Sequence, residues 1–130
     1  MPPARAVTLG DVMWTVDRVV NEAVQHRNFN MSGGSFVADL ALRLEPAAAI
    51  AGVVFANAVD DPEADPFLST VERAVMGFAE RWASEGRPLS QLRVTLTAIS
   101  VHPVDQKAAR YAEAAEIAMS RALATCGVQR

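Results

Sequence analysis

Leu92-Arg93-Val94-Thr95-Leu96-Thr97-Ala98-Ile99-Ser100-Val101-His102-Pro103-Val104-Asp105, followed by an Ala-rich run to Cys126, is the stretch that decides the fold. Leu92, Val94, Leu96, Ala98 and Ser100 fall on one side of an extended chain; Arg93, Thr95, Thr97, Ile99 and Val101 fall on the other. A period of two built from Val, Leu, Ile and Thr marks a half-buried strand. Pro103 offers no amide to a ladder and biases His102 toward an extended conformation, so the strand ends near the histidine. Asp105 suits an N-cap, since its carboxylate can accept from the first free amides of the helix that follows. An imidazole is thereby placed at an exposed strand-to-helix corner, where side chains tend to meet partners rather than pack.

Working outward, the last helix runs from about Asp105 to Cys126 and directs Ala108, Tyr111, Ala112, Ala115, Met119, Ala122 and Leu123 toward a core, with Gly127 ending it. Its small residues allow close approach to a sheet. On the other side, Gly86 and Pro88 stop a helix whose apolar stripe is Leu68, Val71, Val75, Phe78 and Trp82. Asp65 before Pro66 reads as its N-cap and first helical position, and the acidic turn from Asp60 complements the helix dipole. Val53 to Val59 is a short strand. Phe36, Ala38, Leu40, Leu42 and Leu44 alternate with Val37, Asp39, Ala41 and Arg43 in a longer strand that Glu45-Pro46 closes. Asn28 to Ser35 is a loop in which Gly33-Gly34 relaxes the backbone. From Asp11 to Gln25 the residues leave two readings open. Val12, Met13, Val16, Val19, Val20, Ala23 and Val24 recur at helical spacing, whereas the valine content and Met13-Trp14-Thr15-Val16 suit a strand.

The order is thus strand (or helix), strand, strand, helix, strand, helix, in a single domain spanning residues 1–130 with 51% apolar residues. Two helices against one face of a four-stranded sheet is the economical way to bury two such stripes. No apolar run reaches the roughly 18 residues of a membrane span, and Met-Pro-Pro-Ala-Arg lacks the apolar core of a secretory signal. With one cysteine, no internal disulfide can form, and the cytoplasm is the expected compartment. The net charge of −3 is uneven. Residues 1–79 carry 5 basic and 10 acidic side chains, while 80–130 carry 7 and 5. The broad basic footprint of a stand-alone nucleic-acid binder is missing, so no DNA partner is expected and any RNA contact would be local.

The tip and its flanks resemble the end of the fourth domain of translation elongation factor G. There, a V-T-L-T strand leads into S-Y-H-D-V-D-S-S and an Ala-rich helix. Ser100, His102, Val104 and Asp105 match; Val101 stands for the Tyr, Pro103 for the Asp, and Gln106-Lys107 for the paired Ser. The order of elements agrees too. So do a Gly-bearing loop before the second strand, Leu44-Glu45-Pro46 closing it, and a helix then Gly before the fourth strand, so that the likeness covers Val12 to Leu123. The resemblance implies an α+β fold: a two-layer α/β sandwich with a four-stranded sheet, two helices on one face and a left-handed crossover. It also implies a non-enzymatic domain that binds the ribosome or structured RNA, because the family's tip enters the small-subunit decoding site in translation. Ser100, His102 and Gln106 would then meet 2′-hydroxyls and phosphates, with Lys107 and Arg110 adding positive charge. The neighbouring loop would contribute Arg27, Asn30 and Ser32, although the family's Arg-Gly-Gln-Tyr run is absent. The alternative is a protein-interaction or self-associating module that kept the fold without RNA binding. The acidic balance and altered loops favour it.

Catalysis finds little support. Ser100, His102 and Asp105 diverge around one turn instead of forming a relay. His26, His102 and the Asp60–Asp65 cluster lack metal-ligand spacing, and no Gly-rich phosphate loop with a lysine occurs. Cys126 lacks the electropositive setting of a reactive thiol. No enzyme activity, cofactor, metal or membrane partner is expected.

Overall fold

The computed structural model describes residues 13–28, 36–101, 108–126 and 128–129. Its elements are β1 (Thr15–Val16), β2 (Val20–Asn28), β3 (Phe36–Pro46), β4 (Val53–Asn57), α1 (Asp65–Ser84), β5 (Leu92–Ile99), α2 (Ala108–Thr125) and β6 (Val128–Gln129). Four strands form a mixed sheet in the order β2-β3-β5-β4, and β1 and β6 form a small antiparallel ribbon. β3 pairs antiparallel with β2 and β5, while β4 runs parallel to β5. The segment left open between helix and strand resolves as strand. β1 and most of β2 occupy it, because the valines serve one face of a sheet: Val20 and Val24 are buried while Asn21, Ala23 and Gln25 are exposed.

The alternation in β3 sets the layer. Ala38, Leu40, Leu42 and Leu44 are all buried beneath the helices, and Leu92, Val94 and Leu96 of β5 join them. Leu42 faces Leu96 and Leu44 faces Val94 across the central seam. At Ala41/Leu42 the register shifts, since Ala41 faces Ala98 and Leu42 faces Leu96, leaving Thr97 as an extra residue on β5. A bulge of this kind reverses the two faces of a strand. The simple alternation expected for β5 therefore fails past Thr97: Ala98 is exposed and Ile99 turns to the core cluster.

Both helices cover one face. Ala114, Ala115, Ala118 and Ala122 of α2 are fully buried, so the helix lies close on β2 and β3 with Tyr111, Met119 and Leu123 filling the gaps. Ala108 and Ala112 sit nearer the surface than their spacing suggested, and Ala114 and Ala118 take the buried positions. In α1 the buried residues are Phe67, Val71, Ala74 and Val75, with Leu68, Phe78 and Trp82 at the margin. Asp65 proves to be the first residue of α1 and not its cap. Asp61 instead caps a preceding 3-10 turn, Pro62–Ala64, by accepting from the Glu63 amide at 3.0 Å. Trp82 meets Trp14 edge-on at 6.2 Å and carries the Arg87 guanidinium over its ring at 4.0 Å.

The connection β4-α1-β5 joins parallel neighbours, and its hand follows from residue chirality. The Leu96 carbonyl accepts from the Ala58 amide, on the β4 side, while its side chain points into the helix layer. For an L residue this places β4 to the right of an upward β5 when viewed from the helices. The chain climbs β4, passes in front through α1 and returns on the left. The crossover is left-handed, against the usual preference, as the family resemblance led one to expect.

Gln91 holds the entry to β5 at φ 53, the left-handed region, while its carbonyl accepts from Ala47 and its amide donates to Ile50. That conformation costs a non-glycine residue about 1–2 kcal/mol, more than the ~0.4–1 kcal/mol of added unfolded-chain entropy that glycine brings. Gln91→Gly is expected to raise the urea midpoint with an unchanged m-value. An equal or lower midpoint would show that Gln91 contributes contacts that outweigh its backbone.

Candidate functional site

β2 and β5 end, and β3 and α2 begin, at the same end of the sandwich, so the connections 29–35 and 102–107 leave and return there side by side. The structure brings Arg27, Ser100 and Arg110 to this end. His102, Gln106, Lys107, Asn30 and Ser32 lie outside the described residues, as does the expected Asp105 cap.

Ser100 continues β5 beyond the bulge. Its amide donates to the Asp39 carbonyl at 2.9 Å, and its carbonyl accepts from the Tyr111 hydroxyl at 2.6 Å. Tyr111 is fully buried, with its ring against Phe67 at a centroid distance of 4.6 Å. Burial is the main reason its hydroxyl resists ionisation, with the Asp39 charge adding to it. The phenol donates here, tying Ser100, the residue after β5, to the first turn of α2 on either side of the 102–107 connection. The stripe in α2 marks Tyr111 as core. What it does not supply is the rule that a buried tyrosine hydroxyl needs a partner, which is the signal that could have found the latch.

The cations at this end are held by carboxylates. Arg27, on the open face of the sheet, grips Asp39 through two guanidinium nitrogens, Nε lying 3.0 Å from Oδ1. The Asp39 hydrogen bond is the main reason the Arg27 pKa is raised. On the helix side, Arg110 Nη1 donates to both oxygens of Glu113 at 2.9 and 2.8 Å, and His26 Nε2 lies 2.8 Å from Glu113 Oε1. The His26 hydrogen bond, then that of Arg110, holds the Glu113 carboxyl below its ordinary range. Sequence spacing gives no hint of the His26–Glu113 contact, because 87 positions separate the two and only the seating of α2 on β2 unites them. Beside Ser100, the open face has a hollow of about 270 Å³ floored by Ala23, Ala41 and Ala98 and edged by Gln25 and Asp39.

Among the described residues no group of three or more His, Cys, Asp or Glu side chains is placed to hold a metal ion. Among them, no helix is long and apolar enough to cross a membrane. Cys126 is buried, which raises its thiol pKa and disfavours the nucleophilic thiolate.

No protein-family model and no curated protein matches the chain. A crystal structure of a protein from Thermus thermophilus matches with a TM-score of 0.66 and 20% identity over 89% of this chain. The likeness is one of fold. This chain spans 17% of that protein's length, so there the fold is one part of a much longer polypeptide.

Two measurements probe the site's construction. Tyr111→Phe keeps the ring and loses the hydroxyl, so stability should fall by about 1 kcal/mol, read as a lower urea midpoint; no change would mean that water replaces the latch without cost. His26→Ala removes the largest influence on Glu113, so the carboxyl midpoint followed by NMR should rise toward the ordinary glutamate value. The sign is fixed by linkage: a depressed folded pKa favours the folded state above the unfolded pKa of about 4.3, and that contribution disappears as pH falls through the folded value. His26→Ala should therefore also flatten the acid limb of the stability curve below that pH.

Proposed function

We propose that this domain is a non-enzymatic binder of the ribosome or of structured RNA, related to the tip domain of elongation factor G. The observation that supports the reading is that β2 and β5 end, and β3 and α2 begin, at one end of the sandwich. Ser100 and Arg110 flank the 102–107 connection and Arg27 stands at the start of the 29–35 connection. A shape-reading contact to an A-form minor groove needs few charges if donors and acceptors are mounted on a stiff frame. The left-handed crossover and the order of elements agree with the resemblance carried by Ser100, His102, Val104 and Asp105. The translational context is part of the same proposal.

One observation favours a second reading, a protein-interaction or self-associating module. Arg27 and Arg110 are both engaged by carboxylates at the very end where phosphates would dock, and the chain carries a net charge of −3. An RNA phosphate would have to compete with Asp39 and Glu113 for those guanidinium groups.

Co-sedimentation with small ribosomal subunits separates the two. Wild type should pellet with subunits at low salt and progressively less as salt rises, and His102→Ala should lower the bound fraction several-fold while leaving the far-UV spectrum unchanged. Absence of sedimentation at every salt concentration would sink the RNA reading and leave the interaction module.

A further inference from the structure

β2 is an edge strand, and its free side can be assigned atom by atom. In β3 the Asp39 carbonyl accepts from Ser100 and the Ala47 amide beyond it donates to Gln91, so odd-numbered residues of β3 turn their backbone groups toward β5. Even-numbered ones turn toward β2, where Leu40 faces Val24 and Leu42 faces Glu22. The N–H and C=O groups of Asn21, Ala23, Gln25 and Arg27 therefore point away from the sheet. All four residues are exposed, and no described strand pairs with that side of β2.

Proteins usually guard such an edge with proline, lysine, a bulge or shortness. β2 has nine residues, Val-Asn-Glu-Ala-Val-Gln-His-Arg-Asn, with neither proline nor lysine, and keeps register with β3 throughout. β4, the opposite edge, has five residues.

We propose that this edge is a self-association surface, on which two copies pair β2 antiparallel about a two-fold axis at Val24. The strand is complementary to itself in that register. Val24 is its midpoint, so all nine residues overlap. Glu22 of each copy comes opposite His26 of the other, Asn21 opposite Arg27, and Ala23 opposite Gln25, so acid meets a basic residue and no like charges face each other. Centring on Glu22 would set glutamate against glutamate and shorten the overlap. Val24, whose own backbone groups face β3, meets its counterpart as a non-hydrogen-bonded pair, flanked by ladder bonds between Ala23 and Gln25.

The helix layer is compatible with this. α2 packs on β2 and β3 alike, so across the seam two α2 helices stand about two strand spacings, ~10 Å, apart. That is the ~8–10 Å spacing of directly packed helices, so the pairing also brings the two α2 helices side by side. A two-fold axis normal to the sheet also sends the two loop-bearing ends in opposite directions, so the pairing does not depend on the RNA reading and does not block it.

Mass by light scattering and amide exchange by NMR test the assignment together on the whole chain. Wild type should shift from monomer toward dimer over a roughly hundredfold range of concentration, with exchange of the Ala23 and Gln25 amides slowing at least about tenfold at the upper end. Ala23→Pro deletes an N–H that makes no bond inside the protomer, which an edge strand tolerates. It should stay monomeric throughout with an unchanged far-UV spectrum. A wild type that stays monomeric, or that dimerises while those two amides exchange at an unchanged rate, overturns the proposal. Should Ala23→Pro fail to fold, the wild-type exchange rates decide alone.

Discussion

The seam between β3 and β5 is the constraint on which the rest of the molecule depends. It places Leu42 against Leu96 and Leu44 against Val94 at the centre of the core, all four fully buried, and then breaks the pattern with one extra residue. Thr97 is absorbed as a bulge, its hydroxyl donating to the Ala41 carbonyl at 3.2 Å. Had Thr97 kept its place in a regular pleat, Ile99 would face solvent and Ala98 the helices. With the bulge, Ile99 joins the core, Ala98 becomes part of the floor of the open-face hollow, and Ser100 presents its carbonyl to Tyr111. A local insertion thus aims the end of β5, and through it the chain that enters the 102–107 connection. Bulges recur where a strand must redirect a side chain near a functional end.

How much of this was legible in the sequence varied with the range of the interaction. The alternation of β3 and the stripe of α1 are local patterns, and they placed those elements with their buried faces. The stretch from Asp11 to Gln25 defeated periodicity because valine at spacings of three and four also satisfies every second position of a strand often enough to mislead. Pairing with β3 decides between them, and that is a contact between distant positions. The bulge was invisible for the same reason, since Thr97 is an ordinary strand residue whose displacement exists only relative to Ala41 and Leu42. The N-terminus of α1 failed locally: an aspartate before a proline suits a cap, but Asp61 claimed that role one turn earlier. At the candidate site, sequence reading found cations and missed their carboxylate partners. Asp39 and Glu113 come from different elements than the arginine and histidine of β2 that they hold.

Those partners bear on what the loop-bearing end can do. A guanidinium gripping a carboxylate is a positioned group with part of its charge already spent, so it supplies donors in a fixed direction more than long-range attraction. This suits recognition by shape, in which approach is guided by something other than this domain's own field.

The two exposed regions of the sheet differ in chemistry, and that difference separates the molecule's two surfaces. The end near Ser100 presents the guanidinium groups of Arg27 and Arg110, each held by a carboxylate. The β2 edge, with which no described strand pairs, presents main-chain groups in a regular ladder, a surface that recognises any strand of suitable register and gains selectivity only from side chains on either face. In β2 those side chains are ordered so that the strand best matches its own reverse, with Glu22 and His26 equidistant from Val24. Selectivity of that kind needs no pocket and leaves no mark on composition, which is why it emerges only once the register with β3 has established which amides face outward.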